Sequence, residues 1–135
     1  MNKLKIMFSA VSVCTALTSP LTLQAAPLSQ NCELGHTCPI PGNDGGQTHF
    51  IIRPGFGTNY ICTVKSDKGS LRFYVTSNDE FSFTHGGGLY NANPETKVEI
   101  QGRFKNPNDA TSKGEIRFSK IPLTADGMVT CFPKK

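Results

Sequence analysis

From about residue 48 to the end of the chain, apolar and polar side chains alternate, and Gly, Pro, Asn, Asp or Ser breaks the alternation roughly every ten residues. A period of two places successive side chains on opposite sides of an extended backbone, so the pattern predicts strands with one buried face each. Seven are expected, over 48–53, 58–65, 70–76, 79–84, 96–104, 114–120 and 127–132. Tyr60, Cys62 and Val64 then share a face, as do Leu71, Phe73 and Val75, Phe81 and Phe83, Val98, Ile100 and Phe104, Ile116 and Phe118, and Val129 with Cys131. Thr63, Lys65, Arg72, Glu99, Gln101, Arg103, Glu115, Arg117 and Thr130 fall on the opposite faces. No stretch carries the periodicity of a long amphipathic helix. One apolar face per strand is satisfied by packing two sheets together. The expected class is therefore all-β, a small antiparallel β-sandwich over 48–135, with a small β-barrel as the alternative.

Ahead of this domain, residues 26–47 are rich in Pro, Gly, Asn and Gln and show no periodicity, which predicts an irregular N-terminal arm. Earlier still, Lys3 and Lys5 precede an apolar run from Ile6 to Leu17, and no charge occurs from Ile6 through Cys32. Leu23-Gln24-Ala25 before Ala26 offers small residues for a signal peptidase, so residues 1–25 read as a cleavable signal peptide. The run is too short and too diluted by Ser and Thr to span a bilayer, and Val13 ahead of Cys14 does not suit lipidation. No later segment is apolar enough for a span. The expected location is the periplasm or the outside of a bacterial cell. A lysine-led signal and the lack of an Asn-x-Ser/Thr site after it both point to bacteria.

Removing the signal changes two counts. Subtracting Lys3 and Lys5 from 14 basic residues leaves 12 against 10 acidic ones, so the formal charge drops from +4 to +2. That is too little for a nucleic-acid-binding surface, which needs clustered Lys and Arg. Without Cys14 the cysteines are Cys32, Cys38, Cys62 and Cys131, an even set that reads as two disulfides in an exported chain. Cys62 and Cys131 both fall on buried faces, whereas Cys32 and Cys38 lie together in the arm. The expected pairs are Cys62 with Cys131 and Cys32 with Cys38. Seven short strands and a buried disulfide resemble the immunoglobulin-like sandwich in architecture, although the chain has no Trp and Val129 stands where the tyrosine of a tyrosine corner would be.

Candidate chemistry is sparse. His36, His49 and His85 are the histidines, and none sits in a catalytic motif. A small hydrolase using His85, with Asp79 or Glu80, or using His49 is one alternative. Another is a metal-binding protein centred on His36 between Cys32 and Cys38, although three local donors fall short of a structural zinc site. No cofactor is expected. The most unusual segment is Thr84-His85-Gly86-Gly87-Gly88-Leu89-Tyr90, whose glycines predict a wide flexible loop with Tyr90 at its tip, and loops on rigid scaffolds often carry recognition. Arg72 and Tyr74 share one strand face nearby. The expected function is therefore an exported binding module of the bacterial envelope or exterior, with host interaction or hydrolase inhibition as versions of it, contacting a protein or glycan through His85, Gly86, Gly87, Gly88, Tyr90, Arg72 and Tyr74. A basic stripe of Arg72, Lys97, Arg103 and Arg117 is a further expectation, tempered by the interleaved Glu99 and Glu115.

Overall fold

The computed structural model describes residues 29–41 and 46–135, so the expected signal peptide and its expected cleavage site lie outside the described residues. Ten strands and no helix make up the described chain: β1 (Ser29–Cys32), β2 (Thr37–Pro39), β3 (Gln47–Ile52), β4 (Asn59–Ser66), β5 (Leu71–Ser77), β6 (Phe81–Phe83), β7 (Gly88–Ala92), β8 (Val98–Phe104), β9 (Gly114–Lys120) and β10 (Gly127–Pro133). They form two open five-stranded sheets, ordered β1-β3-β9-β5-β7 and β2-β10-β4-β8-β6. All pairings are antiparallel except β1 with β3. The fold is a β-sandwich and not a closed barrel.

Odd-numbered strands fill one sheet and even-numbered strands the other, so every connection crosses between sheets and no two consecutive strands pair. Register is then fixed by the hydrophobic alternation, because a one-residue slip would turn each buried face outward. The burial follows the expected parity: Tyr60, Cys62 and Val64, then Leu71, Phe73 and Val75, then Ile116 and Phe118, and Val129 with Cys131 all lie inside. Phe118 sits between Phe50 and Phe73, with ring centroids 6.0 and 6.3 Å away, at the centre of this core. Each such ring contributes on the order of 1.5–3 kcal/mol by leaving water. At the other side, the Phe81 ring lies directly over Gly102, where any Cβ would stand 2.3 Å from it.

Three strands depart from the sequence expectation. The arm supplies β1 and β2, which add to the edges of different sheets and are clipped together by the Cys32–Cys38 disulfide. The glycine-rich run does not form a wide loop out to Tyr90; its second half is β7, paired with β5. The Cys62–Cys131 disulfide forms as expected, but it joins β4 to its neighbour β10 within one sheet. It does not bridge the two sheets as the core disulfide of an immunoglobulin domain does.

Candidate functional site

β5 and β7 bring together most of the residues singled out in the sequence. The register sets Arg72 opposite Asn91, Phe73 opposite Tyr90, Tyr74 opposite Leu89 and Val75 opposite Gly88. Alternation sends Phe73 and Tyr90 inward, where their rings stack with centroids 5.9 Å apart, while Tyr74 and Leu89 point out and are 46% and 43% exposed. Tyr90 is thus half-buried and is not the loop tip expected of it; its hydroxyl donates to the Gly86 carbonyl at 2.9 Å and closes the turn before β7. Leu89 takes the outward position instead.

His85, Gly86 and Gly87 form the turn that carries the chain from β6 to β7. Gly87 passes so close to β5 that a Cβ there would be 2.7 Å from the Val75 carbonyl oxygen. Here the glycines serve a tight crossing between sheets. His85 is exposed and makes no ion pair with Asp79 or Glu80 among the described residues. Glu80 is engaged elsewhere: hydrogen bonds from Asn106 and from Ser112 hold its carboxyl below the ordinary range.

β7 is the end strand of its sheet, and among the described residues nothing except β5 hydrogen-bonds to its backbone ladder. The segment Gly-Leu-Tyr-Asn-Ala contains neither charge nor proline. Proteins blunt sheet edges with short strands, charges or prolines. β2 and β6, the edges of the other sheet, have three residues each, and β2 ends in Pro39. β7 has none of these protections.

A second exposed apolar feature lies on the other side of β5, toward β9. The turn between β9 and β10 is tied to Arg72, whose carbonyl accepts from the Ile121 amide at 2.8 Å and whose amide donates to Thr124 Oγ1 at 3.3 Å. At its corner Leu123 adopts φ 68° and is fully exposed. Glycine or asparagine normally fills such a position after proline, and a leucine held there costs on the order of 1 kcal/mol. Arg72 itself has no ion-pair partner among the described residues. The basic stripe does not form as one feature. Arg72 and Arg117 lie on the β1-β3-β9-β5-β7 sheet, whereas Arg103 lies on β8 of the other and Lys97 just before it.

His49 belongs to a polar network on the same outer face as Tyr74. Its Nδ1 lies 2.5 Å from Glu115 Oε2, its Nε2 lies 3.0 Å from Gln47 Oε1, and Arg117 donates to Glu115 Oε1 at 3.0 Å. Burial pushes the Glu115 carboxyl up, but hydrogen bonds from Arg117 and His49 and the charge attraction of both outweigh it, leaving the group below the ordinary carboxylate range. A hydrolytic base needs a ring nitrogen directed at a nucleophile. Both nitrogens of His49 face oxygen acceptors of Glu115 and Gln47 instead. The metal-site alternative meets a similar obstacle, since Cys32 and Cys38 are bonded to each other and His36 pairs with Glu33 at 3.6 Å. No group of three or more metal-ligating side chains occurs among the described residues.

Leu89 and Leu123 are exposed apolar residues that the sequence reading missed. Leu89 was recoverable from alternation once Tyr90 was placed inward. Leu123 had no signal beyond the preceding Pro122. Comparison with known proteins finds no family model, curated protein or solved structure that matches this chain.

Proposed function

We propose that this protein is an exported interaction module of the bacterial envelope or exterior that captures an extended segment of a partner protein along β7. The observation that carries the reading is the unprotected edge itself: five residues without charge or proline, unpaired on one side, beside the outward Tyr74 and Leu89. An added strand would satisfy the free backbone groups of β7, and side-chain contacts would supply selectivity, the usual division of labour in strand addition. Tyr74 and Leu89 offer apolar contact, and Arg72, opposite Asn91, offers a charge to one end. A protein partner is favoured over a glycan because only another backbone matches the donor and acceptor spacing of a strand edge. Two disulfides suit an oxidising compartment, and no helix among the described residues is long and apolar enough to cross a membrane.

The reading is tested by placing a photo-crosslinking amino acid at Leu89 and, separately, at Met128 on the opposite sheet. Expressed in the source cell, the first should trap a discrete protein species and the second should not. Equal trapping from both positions, or none from Leu89, contradicts the assignment.

A further inference from the structure

At the β1 end of the sandwich lies a cleft of about 390 Å³, lined by Asn31, Cys32, Glu33, Leu34, Ile51, Arg53 and Phe56. Its size falls within the range of small-molecule sites, and like them it is mostly apolar with a few polar groups at the rim. Leu34 and Ile51 are half-buried, while Phe56 stands 53% exposed at the mouth. Arg53 has no ion-pair partner among the described residues.

Both walls are held in place. On one side the Cys32–Cys38 disulfide closes the loop, the Gly35 amide donates to the Cys131 carbonyl at 2.8 Å, and the His36 amide donates to the Glu33 carbonyl at 3.0 Å. On the other, the Tyr60 hydroxyl donates to the Gly57 carbonyl at 3.0 Å and anchors the loop that carries Phe56. A pre-formed site loses less affinity to ordering on binding.

We infer that this cleft binds a medium-chain fatty acid, with its carboxylate on Arg53 and its chain along Leu34, Ile51 and Phe56. The guanidinium fork matches a carboxylate in two parallel hydrogen bonds, and the Asn31 side chain lies in the same lining. Glu33 shares the rim, which favours a monoanion over a phosphate dianion. The inference is independent of the β7 reading, because the cleft lies on β1, β3 and the loop after it.

Decanoate below its micelle concentration, titrated into the whole protein by calorimetry and followed by NMR, tests it. Binding should shift resonances of residues 31–36 and 51–56, and affinity should rise about fourfold for each further methylene that is buried. Arg53→Gln should weaken decanoate about tenfold or more, Phe56→Ala should weaken it severalfold, and decanol should bind no better to the wild type than to Arg53→Gln. Leu89→Lys should leave it unchanged. Equal affinity of wild type and Arg53→Gln, no dependence on chain length, or shifts centred on β7 would overturn the inference. So would tighter binding of a tripeptide ending in leucine, which carries the same carboxylate on a peptide.

Discussion

Cys62 and Cys131 face each other directly across β4 and β10, with Cα atoms 4.0 Å apart and a sequence separation of 69. Because no consecutive strands pair in this fold, every contact between sheet neighbours closes a long loop, and this crosslink holds one of those loops shut in the unfolded chain. On the chain-entropy treatment it contributes about 4 kcal/mol, against about 2 kcal/mol for the six-residue separation of Cys32 and Cys38. Replacing Cys62 and Cys131 together with Ala should therefore lower stability in urea about twice as much as replacing Cys32 and Cys38. Equal losses would contradict this account of the core bridge.

Leu123 should behave as a residue held in a strained backbone at some expense to the fold. Leu123→Gly relieves the left-handed backbone and should raise stability by up to about 1 kcal/mol, read from the urea midpoint. A destabilised variant would show that Leu123 packs in a way its full exposure does not indicate.

Glu115 gives the fold a defined acid sensitivity. Its carboxyl is held below the ordinary range in the folded chain, so its contribution is complete above the unfolded value of about 4.3 and is lost as pH falls through the lower folded value. Glu115→Gln should lower stability at neutral pH and flatten part of the decline below about pH 4. Glu80 and Asp109 are shifted in the same direction, so some decline should survive in the variant. A wild-type and variant difference that stays constant from pH 7 to pH 3 would exclude this role.

Much of the sandwich was legible because parity is a local property. The inward set from Tyr60 to Cys131 followed from alternation alone, and the disulfide pairs followed from the buried faces of Cys62 and Cys131 and the closeness of Cys32 to Cys38 in the arm. β7 was not legible, since Gly, Asn and Ala have weak strand preference and only pairing with β5 makes the segment extended. Its glycines served the crossing between sheets, a role that short-range pattern does not separate from a loop. Sheet order was beyond reach for a related reason: without hairpins, turn residues carry no information about which strands are neighbours. The candidate site suffered accordingly. Arg72, Tyr74, Gly88 and Tyr90 are indeed brought together, but the outward side chain is Leu89, and the proposed contact surface is a strand edge where a loop tip was expected.

Amide hydrogen exchange across Gly88–Ala92 tests the central claim most directly, measured on the free protein and on its complex with an extended peptide selected from a random library. Capture along the edge predicts that the outward amides of β7 exchange readily when free and become strongly protected when the peptide binds. Tight peptide binding that leaves β7 exchange unchanged would contradict it.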